Sequence, residues 1–395
     1  MKRRRSDQGD AGHHPNSIYY KNPPDFKSLA EQYPEFANHV LVSKSGTSIL
    51  DWNDPDALLA LTKVLLKHDF HLKFSIPRHH LCPPVSQRLN YILWVEDLLK
   101  FLPKSDEVVG IDIGTGASAI FALLGTSRSI NFVCTETDAE SVQSARDNIA
   151  NNNLQDKIEV IHVDDPNKIL AGVLPENREF DFCICNPPFF DSLEETGLNN
   201  KRVCLATASE LICEGGEFRF IKQLLDESAG VLKGRIGWYT TMLGRKVTLA
   251  KLLPLIHATN PVCVQTTVFK QGRQSRWGLA WTYRNDIAVK LDCRKIDDHL
   301  ELKYNFMSER KSIETIHLLV NEWIRSRSGK IVKKSPLSII FSLSIDDASA
   351  VSFKMNFMPL QPNQFRISID IQCDQADQLV KQLTEMRAEL ESILT

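Results

Sequence analysis

Between Glu107 and Arg284 short apolar runs alternate with segments of helical periodicity, and this alternation restricts the fold more than any other feature of the chain. "EVVGIDI" reads as a strand, "GTGASAIFALLG" as a glycine turn entering a helix, "INFVCTE" as a second strand and "DAESVQSARDNIANNN" as a helix with acids at its start. "KIEVIHV" and "FDFCICN" give a third and a fourth strand, "FRFIKQLLDESAGVL" a helix, "GRIGWYTTM" a fifth strand and "KVTLAKLLPLIHA" another helix. Strands separated by helices form βαβ units, which predicts an α/β domain built on a mainly parallel sheet. "PVCVQTTVFKQG" and "RWGLAWTYR" follow without an intervening helix, so an antiparallel hairpin is expected at the end of the sheet.

The flanks read differently. Residues 1–22 have the composition of a disordered basic tail, with Lys2–Arg5 as an import signal or a phosphate-binding arm. Residues 23–102 read as a helical module. "NPPDFKSLAEQYPEF" spaces Phe26, Leu29 and Tyr33 helically, Asp54 and Pro55 open a second helix, and "SQRLNYILWVEDLLKFL" has a broad apolar side. The α/β domain is then bounded at 103–290. "NDIAVKLDCRKIDDH" reads as a boundary, and 296–395 as an α+β domain with four strands, a helix over "IETIHLLVNEWIRSR" and a last helix from Gln375. "RSRSGKIVKK" brings Arg325, Arg327, Lys330, Lys333 and Lys334 together without an acid, and is expected to be a loop.

A formal net charge of -2 means that nucleic-acid binding would have to rest on a local basic surface. No apolar run is long enough to span a membrane, and no apolar stretch follows the first charges as in a secretory signal. The nine cysteines are odd in number and lack C-x-x-C pairs, so reduced, intracellular usage is expected, with neither disulfides nor zinc. His79–His80 has no partner cluster in sequence, and no metal is expected.

Two strand ends carry chemistry. In "GIDIGTGAS" a buried strand ends in Asp112, and Gly114 and Gly116 flank Thr115. Glycine permits a tight turn and close backbone approach to a ligand, and the following helix offers unpaired N–H groups. Ala119 stands where a dinucleotide fingerprint has its third glycine, and a P-loop lysine is lacking. The next strand ends at Glu136, where an acid can bind the ribose hydroxyls of a nucleoside. The combination resembles motif I and its companion acid in S-adenosylmethionine-dependent methyltransferases; a nicotinamide enzyme is the alternative.

At the end of the fourth strand stands Asn186-Pro187-Pro188-Phe189. Proline stops the strand and keeps a carbonyl acceptor. The Asn186 side-chain oxygen and the Pro187 carbonyl can accept both N–H bonds of an exocyclic amine and aim its lone pair. Phe189 can stack on a base flipped out of its helix. N-P-P-F resembles motif IV of the amino-methyltransferases. That motif alone leaves adenine and a protein glutamine amide open as acceptors.

"YYKNPPDFKSLAEQYPEF", "RLNYILWVEDLL", "GIDIGTGAS", "DFCICNPPFF", "WYTTMLGRK" and "QGRQSRWGLAW" occur in this order. In them the chain resembles the methyltransferase-like-sixteen family, the U6 small nuclear RNA adenosine-N6 methyltransferases, and more distantly the bacterial ribosomal-RNA adenine-N6 methyltransferases. The resemblance covers about residues 18–290. It implies a Rossmann-like class I methyltransferase domain, S-adenosyl-L-methionine as cofactor, and contacts to it at Arg88, Gly114, Ser118, Glu136 and Asn186. It implies structured RNA as partner, U6 small nuclear RNA first and messenger RNA hairpins of the S-adenosylmethionine synthetase type second, and a nuclear or cytoplasmic location. Implied too are a gating loop at "DDPNKIL" (164–170) and a substrate loop after the motif holding Lys201 and Arg202. RNA contacts are expected at Pro23, Pro24, Asp25 and Phe26, and at the strand-end cations Arg245, Lys246, Arg273 and Arg276. A monomer is expected. The rivals are a glutamine-amide methyltransferase and an RNA-binding regulator with little or no turnover.

Overall fold

The computed structural model describes residues 13–103, 105–176, 178–192, 206–271, 274–284, 286, 294–296, 299–309, 311–327, 329–344, 350–361, 364–373, 389 and 392–393. The chain divides into two compact units, Met1–Ala288 and Val289–Thr395.

The first unit departs from the expected tail at residues 13–22. Tyr19 is buried, its hydroxyl donates to Asp69 at 2.6 Å, and a ring nitrogen of His14 lies 2.8 Å from Asp97. One aromatic ring and one paired histidine anchor a segment whose average composition is polar; the remainder of the expected tail, 1–12, lies outside the described residues. α1 (Phe26–Gln32) is capped by Asp25, which accepts from the Lys27 N–H at 3.0 Å. α2 (Pro34–Ala37) follows. Next comes an antiparallel hairpin, β1 (Val40–Val42) and β2 (Ser48–Leu50), inside the stretch expected to be helical. Three-residue strands are too short to display a period of two. α3 (Pro55–Phe70) starts as expected, with Asp54 accepting from the Asp56 N–H and Pro55 in the first turn. α4 (Val85–Leu99) buries residues on nearly every side.

The α/β elements are β3 (Val108–Ile113), α5 (Ile120–Thr126), β4 (Ile130–Glu136), α6 (Ala139–Asn151), β5 (Ile158–His162), β6 (Phe180–Cys185), α7 (Ala208–Leu211), α8 (Gly216–Ala229), β7 (Ile236–Leu243), α9 (Lys246–Ala258), β8 (Cys263–Gln271) and β9 (Gln274–Thr282). They form one seven-stranded sheet in the order β5-β4-β3-β6-β7-β9-β8. The first five are parallel, and β9 runs antiparallel to β7 and to β8, as the missing helix between the last two strands predicts. Ile111, Val133, Cys183, Leu224, Ile236 and Trp281 are fully buried in the core between sheet and helices. Tyr239 stacks on Trp281 with centroids 5.7 Å apart, and the indole N–H donates to Ser228 of α8 at 2.9 Å. Strand order reverses between β3 and β6, where Ile113 pairs with Cys185 in register. The glycine turn and Asn186 therefore leave the sheet side by side, at the switch point where open α/β sheets bind ligands.

The second unit is a six-stranded antiparallel sheet, ordered β10-β11-β15-β14-β13-β12, with one helix described. Its elements are β10 (Arg294–Ile296), β11 (His299–Glu309), α10 (Ile313–Ser326), β12 (Lys330–Ser335), β13 (Ser338–Ser344), β14 (Ala350–Gln361) and β15 (Gln364–Cys373). α10 buries Ile316, Val320, Trp323 and Ile324, and Phe341 stacks on Phe353 at 4.9 Å. The cationic stretch expected as a loop is instead divided. Arg325 closes α10, while Lys330, Lys333 and Lys334 are exposed on the edge strand β12. Ile331 and Val332 carry strand propensity, and lysine is well suited to an edge that must not pair further. The helix expected from Gln375 lies outside the described residues, apart from 389 and 392–393.

Candidate active site

The turn after β3 depends on two backbone positions. Gly114 and Gly116 both have φ of 63°, where a side chain is strained. A Cβ added at Gly114 would meet nothing within 4 Å, so open space lies before the turn. Thr115 donates its hydroxyl to Asp112 at 2.6 Å. The N–H of Gly116 donates to Glu136 at 2.8 Å, tying the end of β4 to the turn. The other Glu136 oxygen accepts from the backbone of Thr137 (2.8 Å) and Asp138 (3.0 Å). Asp138 caps α6 by accepting from the Ser141 N–H, so Glu136 is not needed for that helix start.

Asp112 is 1% exposed, and burial pushes it up to about 7 against the lowering pull of Thr115 and Arg88. Its second oxygen is buried without a partner. Arg88, in the first turn of α4, is also buried rather than a solvated charge. It donates to Asn186 Oδ1 at 3.1 Å, and its guanidinium carbon lies 5.3 Å from the centroid of Phe121. Its Nε–H has no partner. Burial pulls this guanidinium down to about 10, with Asp112 opposing. Tyr91, one residue short of a turn further along α4, fixes the helix through a 2.9 Å hydroxyl contact with Thr240, which donates to the Cys183 carbonyl at 2.7 Å.

These groups surround a cavity of 280 Å³ lined by Arg88, Gly114, Gly116, Ser118, Glu136, Asn186, Pro187 and Pro188. Asp112 is not in the lining and braces Thr115 instead. Pro166, Lys168 and Ile169 of the expected gating loop also line it. The end of that loop is anchored: the N–H groups of Ile169, Leu170 and Ala171 donate to Glu227 of α8 at 3.3, 2.8 and 2.8 Å.

Phe189 lies outside the lining, with the Arg276 guanidinium 5.2 Å from its ring centroid. The chain beyond it is held by 3.0 Å bonds from the Phe190 N–H to the Leu211 carbonyl and from the Cys213 N–H to the Phe190 carbonyl. Arg245 occupies the cap position of α9 and Lys246 opens that helix, just past the end of β7. Arg273, Lys201, Arg202 and residues 193–205 of the expected substrate loop lie outside the described residues. Pro23, Pro24, Asp25 and Phe26 do not line the cavity. Phe26 packs edge-on against Phe36 and beside Trp52, an indole that is 62% exposed.

Two acids escaped the reading of the sequence. Glu210 lines the cavity and accepts from the N–H groups of Leu81 (3.0 Å) and Thr207 (2.8 Å). Its sequence signal is T-x-x-E from Thr207, a capping box. Glu217 is buried beside Phe189 and had no such signal, since an acid at a helix start is unremarkable.

A sheet of this order, with its last strand pair reversed and an acid bridging to a G-x-G turn, defines a Rossmann-like class I methyltransferase fold. The sequence model of a family described as "RNA methyltransferase" matches residues 8–285, and the chain belongs to that family. It is 42% identical over 291 residues to human RNA N(6)-adenosine-methyltransferase METTL16, covering 70% of this chain and 51% of that protein. It is 38% identical over 304 residues to the Caenorhabditis elegans U6 small nuclear RNA (adenine-(43)-N(6))-methyltransferase, covering 70% and 63%. The chain thus spans about half to three fifths of the curated relatives it matches. Among solved structures it is similar to the hMettl16 catalytic domain in complex with MAT2A 3'UTR hairpin 1, with a TM-score of 0.65, 41% identity, and coverage of 70% of this chain and 96% of that one. It is also similar to the N-terminal domain of human METTL16 in complex with SAH, with a TM-score of 0.60, 40% identity, and coverage of 69% and 99%.

Proposed function

We propose that this protein transfers a methyl group from S-adenosylmethionine to the N6 of an adenosine in structured RNA. The observation that carries the reading is the position of Asn186: it leaves β6 beside the glycine turn, with its amide oxygen fixed by a buried arginine.

The residues fit the cofactor. Arg88 retains a buried, unpaired N–H that suits the methionine carboxylate. Glu136 stands at the end of β4, where Oε2 accepts from Gly116 and keeps a second lone pair for a ribose hydroxyl, and Gly114 opens onto free space. Bound S-adenosylmethionine supplies an electrophilic methyl group on a positively charged sulfur.

The chain's own task is to prepare the nucleophile. The adenine amine is a poor one, because its lone pair is delocalised into the ring. Asn186 Oδ1 and the Pro187 carbonyl accept its two N–H bonds, draw electron density onto nitrogen and fix the direction of attack. No side-chain base is needed, since the proton leaves to solvent once the nitrogen has been alkylated. Phe189 provides the face on which the unstacked base rests. Arg245 and Lys246, just past the end of β7, suit phosphates.

Residues 296–395 extend RNA contact, with the exposed lysines of β12 as their basic edge. We take U6 small nuclear RNA as the first acceptor, a reading that the relatives' names support, and the nucleus as the compartment where that acceptor would be met. No helix among the described residues is long and apolar enough to cross a membrane. The test is incubation with methyl-labelled cofactor and either a U6-type hairpin or a glutamine-bearing release factor. Label in RNA is expected; label in the protein substrate alone overturns the reading.

A further inference from the structure

Glu217 is a buried acid that the mechanism above leaves unused. It is the second residue of α8 and 3% exposed. One oxygen accepts from the Gly244 N–H at 2.6 Å, and the other is buried with no partner at all. A buried carboxylate oxygen without a donor is costly, and such groups ask for an explanation.

Its neighbours are the parts of the acceptor seat. A Cβ added at Gly244 would fall 2.9 Å from Phe189 Cδ1 and 3.2 Å from Glu217 Oε2, so the ring and the carboxylate both close on the space that a side chain at 244 would fill. Arg276 lies over the same ring at 5.2 Å, and its Nη1 donates to the Ser275 carbonyl at 3.2 Å. Burial lowers the pKa of Arg276, and the charge of Glu217 opposes that shift, so the two side chains already sense each other. A guanidinium and a nucleobase use an aromatic ring in the same way, through its π face. A guanidinium is also the donor that best matches a free carboxylate oxygen.

We propose that Arg276 and Glu217 form a two-position latch on the acceptor seat: without RNA the guanidinium covers Phe189, and when a base stacks there it moves onto the open oxygen of Glu217. This rests on Phe189 being the base platform. The latch keeps the ring covered in both states and gives the displaced cation a partner. Glu217 is thus a positioning residue that acts through Arg276, and it makes base entry cheaper without touching the base.

The test uses the full chain, its RNA hairpin, and the same hairpin with 2-aminopurine at the methylated position. Glu217→Gln preserves shape and the acceptor for Gly244 but removes the charge. It is expected to lower both the 2-aminopurine fluorescence of the bound RNA and kcat, the latter about tenfold, with S-adenosylhomocysteine affinity unchanged. Adding Arg276→Met to Glu217→Gln should bring base extrusion to the level of Arg276→Met alone. A Glu217→Gln protein within twofold of wild type in both readouts, or strictly additive effects in the double variant, overturns the latch alone. A wild type that neither extrudes nor methylates the base overturns the acceptor reading and the latch with it. Should Glu217→Gln fail to fold, arginine side-chain NMR of the wild type decides. The Arg276 signal, identified by its loss in Arg276→Met, should carry a ring-current shift that collapses on RNA binding; a shift that persists contradicts the latch.

Discussion

In the proposed mechanism Asn186 serves two partners with one oxygen. A carboxamide oxygen accepts two hydrogen bonds, and the 3.1 Å bond from Arg88 takes one, which fixes the amide and leaves the other for the acceptor amine. Asn186→Ala is therefore expected to lower kcat by about 10²–10³-fold, with the melting temperature little changed, by analogy with removed transition-state hydrogen bonds. Single-turnover methyl transfer measures it, and near-normal turnover would take Asn186 out of the mechanism. Glu136→Ala should weaken S-adenosylhomocysteine binding in calorimetry while RNA affinity holds; equal losses of both would reduce Glu136 to a brace of the turn. Asp112 gives a pH signature. Its folded pKa, raised to about 7 by burial, lies above its unfolded value. Its contribution to stability is full below about pH 4 and is lost as pH rises through about 7, an effect of at most about 4 kcal/mol. The cofactor-free wild type should lose melting temperature across that window relative to Asp112→Asn, and parallel profiles would contradict the raised pKa. At this scale the sequence displayed the glycines, Glu136 and Asn186, because their chemistry is tied to strand ends. It hid the burial of Arg88, which depends on α4 lying over β6 and β7, and it hid Glu217, whose environment comes from Gly244 and Phe189, far along the chain.

The loop before β6 shows how one element can hold another. Glu227 on α8 gathers three successive N–H groups, from Ile169 to Ala171, while Pro166, Lys168 and Ile169 face the cavity. Glu227→Ala frees those donors and is expected to lower S-adenosylhomocysteine affinity several-fold and to raise hydrogen exchange at 169–171. An unchanged affinity would separate the loop from the cofactor site. The strands of the α/β domain and its helices α5, α6, α8 and α9 were legible from alternation, since each carries a full period and a turn signal; the four-residue α7 was not. The β1–β2 hairpin and β12 were not. Three-residue strands show no pattern, and an edge strand dense in lysine has the composition of a loop while pairing on one side only.

The whole molecule joins the unit that holds the candidate active site to a second unit that lies beyond the matched residues 8–285. If residues 296–395 grip RNA, a 1–288 fragment should keep S-adenosylhomocysteine affinity but lose RNA affinity and show a shallower dependence on salt, because fewer counterions are released. Equal affinity and equal slope would remove RNA binding from the second unit. If Asn186 and its neighbours direct methyl transfer to the N6 of adenosine in RNA, a map of methylated adenosines in total RNA will show it. RNA is compared from cells with the protein, without it, and with Asn186→Ala in its place. N6-methyladenosine is expected at a defined position in U6 small nuclear RNA with the wild type, lost in the other two. A methylation map identical in all three would contradict it.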